Sequence, residues 1–231
     1  MPVLIQPQPW TEQPQYPRPV NPKFGLYSAH TAVLGTASSL RTVLGPAFAA
    51  TNPGVMSPAV TGVGQAIFSN STGYFSRANS LSSGGLTIGF TYTPSSVGSQ
   101  NGILSWGSTS ISSTPFLLVQ SNNADLRVLI GGAYQITYSS VLVTGVPYKI
   151  IVSSTNIANS AASTVYLGFN GQLKSASVAN NGTNAKTTEF LGTGYNGISG
   201  GYFGDFFSAN ICYPPEVLVS LSNNPWQIFA P

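Results

Sequence analysis

Five carboxylates, one histidine and one cysteine are all that the 231 residues offer for acid–base or nucleophilic chemistry. The carboxylates are Glu12, Asp125, Glu189, Asp205 and Glu216. Glycoside hydrolysis usually needs two of them about 5 to 10 Å apart. No two lie within a few residues of each other, so no strand carries a pair on one face. Glu12 falls in a proline-rich leader and Glu216 opens a short helix. Asp125, Glu189 and Asp205 remain as the set that folding could bring together. A nucleophilic triad needs a histidine or other base beside its serine or cysteine. His30 stands beside neither a marked serine nor Cys212, and is expected to be structural. The acid–amide cluster "NNADL" at 122–126 fits a hairpin connection better than a calcium loop. Cys212, in "ANICY", excludes an intrachain disulfide and a multi-cysteine metal site, and fits a small apolar residue in a core strand. The expectation is a chain that is not an enzyme and holds neither metal nor cofactor.

Binding is the chemistry left to consider. Charged residues make up 6% of the chain, against about 25% in an ordinary soluble domain. The eight cations lie scattered, with no two adjacent, so no patch is set to displace counterions from phosphates and nucleic acid is not an expected partner. No run approaches the roughly 20 apolar residues of a membrane helix, and the first residues lack the pattern of a secretion signal. Synthesis in the cytoplasm, with no membrane partner, is therefore expected. The sequons at Asn70 and Asn181 matter only in a eukaryotic secretory pathway. Glycans are commonly held by aromatic faces and neutral hydrogen-bonding groups. Trp106, Tyr134, Tyr138 and Tyr195 lie at strand ends or Gly-rich turns and are the candidate contacts, although each also fits a core position.

Short apolar-rich runs punctuated by Gly, Asn, Ser and Pro follow one another from about Gly64 onward, as in an all-β domain. "GGLTIGFTYTP" alternates with period two, which predicts a strand buried on one side. Asn170-Gly171, in "STVYLGFNGQLKSASV", is the favoured pair for a type I′ hairpin turn. Ten to twelve strands exceed what one flat sheet usually carries, so two packed sheets are expected. "PPEVLVSLSNNPW" predicts one short helix, with Pro214-Pro215 at its start and Asn223-Asn224 at its end. Seven of the first 22 residues are proline. That stretch is expected to be an extended docking arm, with Pro9, Trp10, Tyr16 and Pro17 as its contacts. Residues 23–61 show neither period and are assigned as a linker or edge segment, and 62–231 as the globular domain.

Three stretches, "STVYLGFNGQLKSASV", "EFLGTGYNGISGGYFGDFFSANICY" and "PPEVLVSLSNNPWQIF", resemble the laminin-G-like, or concanavalin-A-like, jelly-roll superfamily. Phe206-Phe207 stand where that family carries acidic or small residues, which argues against an inherited calcium site. The resemblance implies an all-β, two-sheet jelly-roll sandwich with one short C-terminal helix. The two ends, "QPQPWTEQPQYPRPVNP" at 6–22 and "NPWQIFAP" at 224–231, resemble structural proteins of tailed bacteriophages. This second resemblance implies a virion component on the head (a decoration protein) or on the tail (a fibre appendage). Its partners would be other virion proteins and further copies of itself, for instance in a trimer. The alternative is a tail adhesin that recognises a host surface glycan.

Overall fold

The computed structural model describes residues 20–32, 40–51, 57–61, 64–69, 73–79, 81–98, 101–107, 116–184, 186–194, 197–198 and 200–229. Two sheets make up the body. The first runs Gln172–Val178 (β14), Ser163–Phe169 (β13), Tyr148–Ser154 (β12), Leu86–Pro94 (β7), Gly201–Ala209 (β18), Leu26–Ala32 (β1) and Leu40–Leu44 (β2). Gly64–Ser69 (β5) pairs with the first half of β18, and Ser57–Thr61 (β4) pairs with β5. The second sheet runs Ala133–Tyr138 (β11), Asp125–Ile130 (β10), Leu117–Asn122 (β9), Asn101–Gly107 (β8), Thr188–Leu191 (β15), Tyr74–Ala78 (β6) and Ala49–Thr51 (β3). The small hairpin Thr193–Gly194 (β16) and Gly197–Ile198 (β17) hangs on β8, and that last contact is the parallel one. This is the expected all-β sandwich. The segment 23–61, expected as linker or edge, supplies β1 to β4, of which β2, β3 and β4 lie at sheet margins. Residues 1–19, with Pro9, Trp10, Tyr16 and Pro17, lie outside the described residues.

The space between the sheets is filled from both sides by alternate residues, Ile88, Phe90 and Val152 from one and Leu104, Val119 and Val128 from the other. Tyr148 stacks on Phe169 with ring centroids 5.1 Å apart, and Trp106 meets Phe116 edge to face at 5.8 Å. Each such side chain, fully buried, stabilises by roughly 1.5–3 kcal/mol. The outermost strands β11 and β14 come together along one side, where Lys174 donates from β14 to the Thr137 carbonyl of β11 at 2.8 Å. A lysine on an edge blunts it against pairing with another chain. The hairpin prediction holds: Asn170 and Gly171 both have positive φ, at 47° and 83°.

The prediction of a one-sided strand at β7 is corrected, because all nine of its residues are buried. Leu86, Ile88, Phe90 and Tyr92 point into the sandwich. The outer face is covered by a second apolar cluster that includes Phe24, Ile151, Phe207, Tyr213, Leu218, Leu221 and Phe229. Its lid is the helix Pro215–Asn223 (α1), with Pro at its first position and Glu216 in its first turn, where an acid suits the helix dipole. Gly168 leaves room beneath it, since a Cβ there would lie 3.0 Å from Ser222 Cβ. Lys149 Nζ donates to the Asn223 carbonyl at the helix C-terminus. The two described chain ends complete the lid. Val20 bridges to Phe229, and the Asn21 N–H donates to the Ile228 carbonyl at 2.8 Å.

Two groups under this lid set its pH response. Burial pushes Tyr213, whose hydroxyl donates to the Phe24 carbonyl, up to about 12 from an ordinary value near 10. Stability from a raised phenol is complete below pH 10 and lost as pH climbs through 12, here by about 3 kcal/mol. Burial drives Lys149 down to about 8. Its charged form is therefore disfavoured in the fold, and that cost is relieved between pH 8 and 10.5. Urea midpoints should rise from pH 8 towards 10 and fall beyond it. Tyr213→Phe should make the fall shallower at a cost of about 1 kcal/mol at neutral pH, the remainder coming from Tyr138 and Tyr148, which burial also raises; a fall as steep as the wild type's would contradict the assignment.

Candidate functional site

Three of the five carboxylate residues, Glu189, Asp125 and Asp205, are tied into the strands that carry them. Glu189 and Arg77 are paired across β15 and β6 and point into the sandwich, with Arg77 Nε 2.7 Å from Glu189 Oε2. Asp125 opens β10, where Oδ2 accepts from Arg127 Nη2 at 2.7 Å and Oδ1 from the Ser140 N–H at 2.9 Å. Those bonds, the Arg127 one foremost, hold its carboxyl below the usual carboxylate range. Asp205 is buried in β18, at the irregularity between Phe203 and Phe206, where its N–H donates to Thr91 Oγ1 at 3.0 Å. The three acids thus occupy three separate environments. No group of three His, Cys, Asp or Glu side chains converges among the described residues. His30 lies in β1 opposite Phe206. Glu216 is exposed in the first turn of α1.

The candidate glycan contacts divide. Trp106 is fully buried and donates Nε1 to the Lys186 carbonyl at 2.9 Å, and Tyr138 is buried with its hydroxyl on the Leu167 carbonyl. Both are core residues, and their assignment as surface contacts is corrected. Tyr134 is 46% exposed, with the Arg127 guanidinium 5.5 Å from its ring centroid. Tyr195 lies outside the described residues. Cys212 is corrected as well. It sits in the loop after β18, half-buried, its thiol accepting from Ser153 Oγ at 3.2 Å, and burial pushes that thiol up. Asn181 is fully buried and spends its amide on the Asn156 and Ala158 carbonyls.

Two depressions open at one end of the sandwich, where β7 begins and β12 ends. The larger, about 470 Å³, is lined by Gly85, Thr155, Tyr166 and the turn Asn210–Pro215. The smaller, about 350 Å³, is lined by Asn79, Leu81, Ser82, Asn159, Thr183 and Lys186, with Asn184 and Thr187 completing its wall. Neither is lined by a carboxylate among the described residues. Sequence reasoning missed this end, because its residues come from four loops without a common motif. The abundance of Asn, Ser and Thr was the only signal available.

No family model matches the sequence, and no curated protein matches it by sequence. Several solved structures share its fold. Domain 4 of AbnA, an extracellular GH43 arabinanase from Geobacillus stearothermophilus solved in complex with arabinotriose, superposes with a TM-score of 0.59 at 14% identity, over 85% of this chain and 98% of that domain. Trypanosoma rangeli sialidase gives 0.65 at 14% identity, over 90% of this chain and 34% of the sialidase. The receptor-binding domain of botulinum neurotoxin D gives 0.64 at 13% identity, over 89% of this chain and 54% of the toxin domain. The chain spans about a third of the sialidase and about half of the toxin domain. At these identities the likeness is one of fold, a two-sheet β-sandwich of jelly-roll type.

Proposed function

We propose that the chain is a non-enzymatic structural component of a tailed-phage particle, displayed on its head or tail and attached through its N-terminal segment. The supporting observation is the meeting of the two segments whose composition resembles phage structural proteins. Some two hundred residues apart in sequence, they close on one another where Val20 bridges to Phe229 and Asn21 bonds Ile228. A fixed point of entry beside a covered sheet face suits a domain held at its base and displayed beyond it. The nearly uncharged composition suits a surface exposed to varied salt. Antibody raised against residues 62–231, imaged on purified particles made from the encoding genome, should label head or tail. Unlabelled particles that also lack the protein by mass spectrometry would overturn the reading.

A second reading, carbohydrate binding, is favoured by the two acid-free depressions and by the fold shared with an arabinanase domain solved with arabinotriose and a toxin receptor-binding domain. It predicts saturable binding of host surface polysaccharide by the isolated chain. No saturation at millimolar sugar would sink it.

A further inference from the structure

The two depressions draw on the same two loops. Gly85 lines the larger and Leu81 and Ser82 the smaller; Thr155 lines the larger and Asn159 the smaller. The loops that supply them are tied together where the Ile157 N–H donates to the Gly84 carbonyl at 2.9 Å, and Ile157 itself is fully buried. On both loops this Gly84–Ile157 ridge falls between residues that line one depression and residues that line the other. Ser82 and Gly85 are three residues apart, so the near walls lie within about 11 Å of each other.

The two sides offer complementary chemistry. On one, Tyr166, Pro214, Pro215 and the half-exposed Ile211 provide apolar faces, edged by Asn210 and Thr155. On the other, the hydroxyls of Ser82, Thr183 and Thr187 and the amide nitrogen of Asn159 have no partner among the described residues. The loops behind them are held firmly. Asn181 Oδ1 accepts from Ser163 Oγ at 2.7 Å, its amide holds the Asn156 and Ala158 carbonyls, and the Ser160 N–H donates to the Gly182 carbonyl at 2.9 Å. Polar groups already fixed in place reduce the ordering cost of binding. The one charge, Lys186, is engaged by Asn159 Oδ1 and lies 4.5 Å from the Phe116 ring centroid.

A ligand with apolar faces and a rim of neutral hydroxyls matches both sides, and its length must bridge the ridge. We propose that this end of the sandwich binds a neutral oligosaccharide across the Gly84–Ile157 ridge. One sugar unit would lie against Tyr166 and Pro214, another among Ser82, Asn159 and Thr187. The proposal rests on the carbohydrate-binding reading and adds to it a place, a charge class and a minimum length.

The test is calorimetric titration of the full chain with linear oligomers of glucose, galactose and arabinose, two to six units long, at low and high salt. Uronate oligomers serve as the acidic comparison. The variants are Asn210→Ala with Ile211→Ala on one side of the ridge and Asn159→Ala with Thr187→Ala on the other; all four residues are exposed, and thermal unfolding checks that the fold survives. At least one neutral series should bind, more tightly in its longer members, with less than twofold change between salts. Each variant pair should weaken it at least tenfold, and saturating sugar should protect Cys212, which lines the larger depression, from a maleimide. Wild-type binding unaltered by both pairs would overturn the location while leaving carbohydrate binding standing. Binding confined to uronates, or falling steeply with salt, would overturn the neutral assignment. No saturable binding of any sugar would remove this proposal and the reading beneath it together.

Discussion

Arg77→Met is expected to cost the fold about 3–5 kcal/mol at neutral pH, the range seen when a buried ion pair loses one partner. In a chain of this length that lowers the melting temperature by roughly 6–20 °C. Both side chains of the pair are almost wholly enclosed, at 2% and 1% exposure. Arg77 belongs to one sheet but reaches the other, with Nη2 3.2 Å from Ser208 Oγ. Its guanidinium lies 4.6 Å from the Phe48 ring centroid and 5.0 Å from that of Phe206. Burial is the largest influence on the Glu189 carboxyl and pushes it up, while Arg77, and then Asn79, pull it back. Without Arg77 the burial acts nearly alone. A carboxyl raised in the fold contributes its stability in full below its unfolded value, about 4.5, and loses it as pH rises through the folded value. The variant should therefore come closest to wild type in acid and fall away towards neutrality. Adding Glu189→Leu should recover most of the loss and remove the pH dependence, because apolar replacements of a buried pair are often neutral. Urea unfolding at pH 4.5 and 7.5 checks both points. A loss below 1 kcal/mol at both would mean that the pair does not hold the sheets together.

The same pair illustrates how far the sequence could be read. Local rules suffice where a turn or a period is self-contained, as at Asn170-Gly171 or along the inward residues of β7. They fail where the outcome depends on what lands on the far side. Thr87, Thr91 and Thr93 look solvent-facing by period, yet all three are buried, Thr87 against the turn that carries Tyr213. Trp106 and Tyr134 are both aromatics near strand ends. Only the register separates them, since Trp106 stands opposite Glu189 and faces inward. "ANICY" continues the apolar character of β18, but the strand stops at Ala209 and leaves Cys212 in a loop. The early strands β1 to β4 show no clean period because three of them lie at sheet margins, where a single pairing partner imposes little patterning. The ridge and its depressions were the least legible part. Asn159, Asn210 and Ile211 come to line depressions at one end only when loops from distant parts of the chain meet.

Gly89→Ala is expected to cost about 3 kcal/mol, near the upper end for adding one methyl group to a packed site. A Cβ at this position would lie 2.2 Å from Phe207 Cε1, 2.4 Å from Phe207 Cζ and 2.5 Å from Ile151 Cδ1. Gly89 does not need the left-handed conformation, so the cost is steric alone. The new methyl would push the Phe207 ring outward into the cluster shared with Leu218, Leu221 and Phe229. Strain should therefore appear first as loosening of α1 and of the contact between Val20 and Phe229, before the sandwich itself opens. Limited proteolysis should cut faster within residues 210–229, with the sheets still protected. Phe207→Leu in the same chain should relieve the clash and leave a coupling of roughly 0.5–3 kcal/mol in the double-mutant cycle. If Gly89→Ala lies within 0.5 kcal/mol of wild type, the ring is not seated on the glycine. The order of loosening also bears on the proposed display on a phage particle. If attachment runs through the N-terminal segment, particles carrying Gly89→Ala should lose the protein at temperatures where the isolated sandwich is still folded, whereas Arg77→Met should lose attachment and fold together.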